Sequence, residues 1–371
     1  MGIDVTAYAS VDVDVAGQAA SGVKYIWTDQ DGEGAWDVSG YQYCAVDGAA
    51  VPDYVARLWI EVDDNEEFSI SLWNYTAYNS ADAEKKKAKI FWGDGNYTQM
   101  QDAVYRPIEY IEYTHVYSEK GKYVIEIIAS DPQTAYPIAN SYCLGQSSSA
   151  PNTSVKYIEA ASSFSFSSDG YAFAYCSELK KIRLMRYSNL PSSGARTKEY
   201  VFRYCSSLET LEFFDVPVEG WPFTYVNRSL ESYAFADCAK LKNIICTNKS
   251  SLFFDRTYTR TFYNCILIND TSFLLDTGIT KIGWGTFDGC SGLEYIYIPD
   301  TVTDIDNNAF LNCVGAIEVH FLPTTPPTVA NANAWSGIPT TCTIYVPTGT
   351  LSAYTSAANY PDPATYTYIE E

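Results

Sequence analysis

The chain carries only two imidazoles, His115 and His320, so proton-transfer or metal chemistry has few places to reside. A Ser-His-Asp triad would need one of them, and neither sits beside a nucleophile motif; G-x-S-x-G, H-E-x-x-H and a P-loop are absent from the sequence. Asp29-Gln30-Asp31-Gly32-Glu33-Gly34 begins like a calcium loop, but its twelfth place holds Gly40 where a bidentate Glu is required. Asp63-Asp64-Asn65-Glu66-Glu67 is a second acidic turn. No cofactor is expected, and calcium is the one ion for which these loops offer ligands. The residues read as a non-enzyme. The catalytic alternative, a carbohydrate-active enzyme, would need a cleft with two carboxylates about 5–10 Å apart.

Ten cysteines are the other chemistry-bearing set, and six of them share one context. Cys176, Cys205, Cys238, Cys265, Cys290 and Cys313 each follow a Phe by three residues and precede an apolar residue by three, as in VFRYCSSLETLEF and AFADCAKLKNIIC. No pair has zinc-finger spacing, so they read as small buried thiols rather than metal ligands or a disulfide ladder. Cys44, Cys143, Cys246 and Cys342 are scattered and read as free. The phenylalanines of the phrase, Phe173, Phe202, Phe235, Phe262, Phe287 and Phe310, are 29, 33, 27, 25 and 23 residues apart. A fixed phrase at such a period predicts a solenoid, in which each coil buries its apolar face against its neighbours.

The elements that position these residues are β-strands. In LETLEF (208–213), Leu208, Leu211 and Phe213 point inward and Glu209, Thr210 and Glu212 outward; Leu293, Ile296 and Ile298 repeat the inward phase. The outward positions line up across coils as Arg183, Glu212, Ile245, Ser272, Tyr297 and His320, flanked by Tyr295. Arg183, Glu212, Tyr295, Tyr297 and His320 are the candidate partner-binding face, because Tyr and Arg on a rigid sheet are typical contact residues and Tyr can stack on sugars. Lengthened segments such as RYSNLPSSGARTKEY and DVPVEGWPFTYVNRS predict loops between the first three coils.

The net charge of −21, from 24 Lys plus Arg against 45 Asp plus Glu, argues against nucleic-acid partners and against docking on an anionic membrane. No run of 18 apolar residues predicts a membrane-inserted helix. The N-terminal sequence MGIDVTAYASVDVDVAG has neither a basic region nor an apolar core, so no export signal is expected in it.

The phrase A-F-x-x-C-x-x-L-x-x-I-x-I-P-x-x-V-x-x-I resembles BspA-type leucine-rich repeats, and GTFDGCSGLEYIYIPDTVTDIDNNAF (285–310) is its fullest copy. Trp335 and Ile338 look like a degenerate last repeat, and TIYVP (343–347) like that family's closing segment. Upstream, Trp92-Gly93-Asp94-Gly95, His115-Val116-Tyr117 and Gly121-Lys122-Tyr123-Val124 resemble a PKD-like, immunoglobulin-like domain. The expected fold is mainly β, a PKD-like β-sandwich followed by a leucine-rich-repeat solenoid. The expected division is an N-terminal β segment for docking or assembly (1–54), the sandwich (55–131), a linker (132–160), the repeats (161–346) and a C-terminal cap and tail (347–371).

The resemblance implies a non-enzymatic adhesion or structural protein whose partner is a protein or glycan on a bacterial or host surface. Together with the absent export signal, it leads to the expectation of a bacteriophage virion surface component (a head fibre, decoration or tail-fibre protein) that contacts other virion proteins through residues 1–54. A bacterial cell-surface or secreted adhesin is the alternative.

Overall fold

The computed structural model describes residues 41–42, 55–76, 89–100, 111–128, 135–139, 144, 146–160, 165–166, 170–187, 199–216, 229–247, 256–275 and 277–371. Most of the expected N-terminal segment, the loop at Asp29, Cys44, Cys143 and the long segments 188–198 and 217–228 lie outside them.

Each solenoid coil is built around the Phe of the repeated phrase. The residues two before and two after it both take left-handed backbone: Tyr171 and Tyr175, Tyr200 and Tyr204, Tyr233 and Asp237, Arg260 and Asn264, Gly285 and Gly289, Asn308 and Asn312, with φ between 52° and 80°. Left-handed backbone costs about 1–2 kcal/mol for a residue with a Cβ. The conformation turns every second N–H toward the following coil. Phe173, Phe202, Phe235, Phe262, Phe287 and Phe310 donate to the carbonyls of Val201, Ala234, Thr261, Thr286, Ala309 and Ala334 at 2.8–3.0 Å. The flanking left-handed residues donate in the same direction, as in Tyr204 N–H to Ala236 O (3.0 Å) and Asn264 N–H to Asp288 O (3.0 Å).

Inside the turn the rings form one continuous pile. Successive Phe centroids lie 5.4–5.7 Å apart with interplanar angles of 8–12°, and Trp335 ends the pile 5.3 Å from Phe310. Each cysteine thiol donates back to the Phe carbonyl of the preceding coil: Cys205 to Phe173, Cys238 to Phe202, Cys265 to Phe235, Cys290 to Phe262 and Cys313 to Phe287, at 3.1–3.3 Å. Burial pushes these five thiols up, so they keep the proton they donate. All eight described cysteines are free thiols. The apolar position three residues after Cys is filled by Leu179, Leu208, Leu241, Ile268, Leu293 and Ala316, all buried.

Two parallel ladders flank this turn. Short strands Ser229–Leu230, Arg256–Thr257, Lys281–Ile282, Asp304–Ile305 and Thr328–Val329 form one. The other is divided. Lys181–Tyr187, Thr210–Val216 and Asn243–Thr247 belong to a nine-stranded sheet, while Tyr295–Ile298, Glu318–Phe321, Thr343–Val346 and Thr367–Glu370 form a four-stranded sheet. Between them the fourth coil replaces its strand by a 3₁₀ turn, Ser272–Leu274, and meets the next strand of the ladder through an isolated bridge, Asp270–Tyr295.

The nine-stranded sheet also contains N-terminal strands. Val55–Val62 pairs antiparallel with Gly121–Ile128 on one side and with Val155–Ala160 on the other, and Val155–Ala160 pairs parallel with Lys181–Tyr187. Within the segment expected as a linker, Val155–Ala160 is therefore a central strand that makes the two regions one hydrogen-bonded sheet. A second, mixed sheet, in which Ser165–Phe166 pairs parallel with Ala135–Ala139 while Glu66–Thr76 pairs antiparallel with Ala135–Ala139 and Ile111–Tyr117, contributes Phe68, Ile70, Leu72, Tyr113 and Tyr117 to the same apolar cluster as Leu58, Ile60, Ile125 and Ile127.

On the other face of the long sheet, register places Glu126, Arg57, Glu159, Arg183 and Glu212 side by side on five neighbouring strands. Arg57 bonds Glu126 (3.0 Å) and Glu159 (3.5 Å), and Arg183 pairs with Glu212 (3.3 Å). Arg57, Glu126 and Glu159 are buried, so alternation of sign is what allows them to share the row.

Two substitutions test this framework. Phe262→Ala opens the middle of the ring pile and should cost about 3–5 kcal/mol in denaturant unfolding. Arg57→Ala leaves Glu126 and Glu159 facing each other without their shared cation, and should also cost about 3–5 kcal/mol, partly recovered at acidic pH where Glu126, whose pKa burial raises, protonates.

Candidate functional site

The five candidate face residues fall into two environments. Arg183 and Glu212 are register partners and also ion-pair partners at 3.3 Å, with Lys181 Nζ 3.8 Å from Glu212. They are part of the charge row that holds the long sheet. Ile245 is in register with Glu212, whereas Ser272 lies in the 3₁₀ turn that interrupts the row.

Tyr295, Tyr297 and His320 stand together on the four-stranded sheet. Tyr295, Glu318 and Thr343 form one register row, and Tyr297, His320 and Tyr345 form the next. The rings of Tyr297, His320 and Tyr345 stack at 4.9 and 4.6 Å with interplanar angles of 18° and 5°. His320 is further tied through Nε2 to Glu318 (3.0 Å) and through Nδ1 to Glu371 (2.8 Å). Burial first, then the charges of Asp270 and Glu318, pushes the Tyr297 phenol above its ordinary range. Tyr345 was not picked out by the sequence reading. Its signal was its place in TIYVP, two residues after Thr343, in phase with Tyr297 and His320.

A second aromatic set follows from the left-handed turns. Tyr171, Tyr200 and Tyr233 stack at 4.5 and 4.9 Å, Tyr175 stacks on Tyr204 at 4.8 Å, and the Arg203 guanidinium lies 4.4 Å from the Tyr204 ring while pairing with Asp237 at 3.0 Å. Arg260 repeats the arrangement between Tyr263 and Trp284. These Tyr were legible only as part of the phrase, because nothing in a Tyr marks left-handed backbone.

The N-terminal phrases meet around one histidine. His115 stacks on Trp92 (centroids 5.1 Å) and bonds Asp94 (2.6 Å), while Tyr117 O–H donates to the Trp92 carbonyl (2.7 Å). Gly93 and Gly95, at φ 89° and 96°, allow the turn that presents Asp94. Burial works to raise the Asp94 pKa, but bonds from Asn96 and His115 outweigh it and hold the carboxyl below its usual range. These contacts fill every role of the WGDG and H-x-Y residues with packing.

The acidic turn at Asp63 is likewise committed: Asp63 and Asp64 accept from Lys120, and Glu66 accepts from the Asp63 amide and the Ser154 hydroxyl. A neighbouring cleft of about 380 Å³, lined by Glu61, Asp63 and Glu66 with Lys120, Lys122 and Lys156, has its carboxylates in such pairs. Among the described residues no group of three or more His, Cys, Asp or Glu side chains could hold a metal ion, and no helix is long and apolar enough to cross a membrane.

Because the folded-state pKa of Asp94 is depressed, its ionised form contributes stability above the ordinary value of 3.8, and that contribution is lost as pH falls through the folded value. Asp94→Asn should therefore lower the unfolding midpoint at pH 6, with the gap to wild type closing as pH drops below 3.8. A gap that stays constant with pH would show that the carboxylate charge is not what matters.

Several solved structures match part of the chain. The pneumococcal vaccine antigen PcpA matches at 14% identity and a TM-score of 0.34, covering 66% of this chain and 46% of that one. A leucine-rich repeat protein from Bacteroides ovatus matches at 14% identity and a TM-score of 0.21, covering 58% and 66% of the two chains. A leucine rich cell surface protein from Faecalibacterium prausnitzii matches at 14% identity and a TM-score of 0.25, covering 61% and 87%. This chain thus spans about half the length of the pneumococcal antigen's chain. No curated protein matches it. Six copies of the BspA type leucine rich repeat region match at residues 142–219 and 222–332. Those residues are half of the chain and carry the phenylalanine pile and the cysteine rungs, so the protein belongs to the BspA-type leucine-rich repeat family.

Proposed function

We propose that this is a non-enzymatic recognition protein displayed on a surface, in which the solenoid presents the Tyr295, Tyr297, His320 and Tyr345 face to a partner. The observation that carries the proposal is the row Tyr297, His320 and Tyr345, in register on a hydrogen-bonded sheet, with Tyr295 on the same face two residues before Tyr297. A rigid sheet presents such rings at little entropic cost, which is what makes aromatic residues effective contact groups. Membership of a repeat family favours binding over catalysis, and so does the engagement of the carboxylates in the charged cleft, which leaves that cleft short of the free acid–base pair a glycosidase requires. A neighbour of similar fold is described as a cell surface protein, which accords with surface display.

We read residues 55–131 as the PKD-like mount of this solenoid. The reading is supported by the convergence of its three phrases on Trp92, His115 and Tyr117. The virion placement gains no comparable support from the fold, so the proposal is made at the level of surface display on a cell or particle.

The test is retention of the purified full chain on bacterial and host-cell surfaces. The pair Tyr295→Ala and Tyr297→Ala should cut retention about tenfold while the circular dichroism spectrum stays native, since the core side of the strand is untouched and only the Tyr297–His320 stack is lost. Undiminished retention with an intact fold would remove this face as the binding site.

A further inference from the structure

Resting on that reading of the face, we propose that its partner is a cationic, Lys- and Arg-rich extended protein segment rather than a glycan. Sugars bind proteins largely by laying an apolar ring face on an aromatic face. Here the row Tyr297, His320, Tyr345 has spent its ring faces on itself: His320 is stacked on both sides, and each tyrosine on one. What the row presents outward is ring edges and phenol oxygens.

The groups around it are acceptors. Glu318 and Glu371 each give one oxygen to His320 and keep a second, and their side chains are 32% and 40% exposed. Glu294 stands exposed immediately before Tyr295, and Asp270 bridges to Tyr295 from the preceding coil.

The imbalance extends beyond the face. Residues 257–371 contain eleven acidic side chains and, beside His320, only two basic ones, Arg260 and Lys281. Both are engaged elsewhere, Arg260 with Asp288 at 3.5 Å and Lys281 with Asp306 at 3.2 Å. An acceptor-rich, negatively charged flat sheet matches a segment that brings many N–H donors and positive charge. Guanidinium groups can in addition bond a carboxylate through two parallel N–H donors.

Fluorescence anisotropy with the full chain tests this, using as probes a twelve-residue peptide of alternating Lys and Thr, its Glu and Thr counterpart, and a set of neutral oligosaccharides. The basic peptide should bind, with affinity falling as salt rises, and the other probes should not compete. Glu318→Gln, and separately Tyr297→Ala with Tyr345→Ala, should weaken it about tenfold. Asp300→Asn, which removes the same charge from an exposed site outside the face, should not. Equal losses for Glu318→Gln and Asp300→Asn, with none for the tyrosine pair, would reduce the effect to bulk charge and overturn the proposal. Displacement by an oligosaccharide would overturn it in favour of a glycan. If the tyrosine variants lose retention on cells but keep peptide affinity, the cationic partner fails while the binding face stands. If cell retention is unchanged, the face itself fails.

Discussion

Each coil of this solenoid is registered on the next through the carbonyl and amide of one phenylalanine. The amide donates forward to the following coil, while the carbonyl accepts the thiol of the cysteine in that following coil and also the amide of the cysteine in its own, as for Phe287 with Cys313 and Cys290. A third interaction, ring on ring, shares the same axis. The rest of the repeat depends on this junction, because it sets the rotation and spacing with which the two flanking ladders meet. It also explains why cysteine recurs. The site needs a small apolar atom that can still donate, and a buried thiol meets both conditions without the desolvation cost of a hydroxyl.

The junction imposes a conformational cost on two positions per coil. Asn, Asp and Gly at Asn264, Asn308, Asn312, Asp237, Gly285 and Gly289 take left-handed backbone readily, but Tyr at five positions does not. Those tyrosines recover the cost by stacking across coils and by giving Arg203 a surface to lie on. The Tyr-rich composition of the early repeats is thus a property of the turn, and not of the contact face.

The two halves of the long sheet are joined by hydrogen bonds through Val155–Ala160 and by the alternating row from Glu126 to Glu212. Arg183 and Glu212 therefore act within the scaffold, while the aromatic row Tyr297, His320 and Tyr345 stands on the separate sheet of the later coils. The break at Ser272–Leu274 separates these two regions. It lets the first coils be committed to the N-terminal strands while the last ones present a face.

Much of this was legible in the residues. The period of Phe, Cys and Leu identified the coils, and the alternation in LETLEF and LEYIYI identified which residues face the core; Leu211, Phe213, Ile296 and Ile298 are all buried. Trp335 was legible as a degenerate repeat and does end the ring pile. These features are local, since a coil's inward pattern must appear within a dozen residues of itself. The pairing of Arg183 with Glu212 was hidden although both were noticed, because whether an outward charge is solvated or paired depends on strands 29 residues apart in sequence. The role of Val155–Ala160 was hidden for the same reason: its neighbours, Val55–Val62 and Lys181–Tyr187, lie on opposite sides of it in the chain. By itself the sequence determined the repeat, the buried set and the sign of the charge, all of which follow from composition and short-range periodicity. Only the tertiary structure decided which outward residues are spent on holding coils together and which remain available, because that is settled by cross-strand register, a long-range property that no single coil encodes.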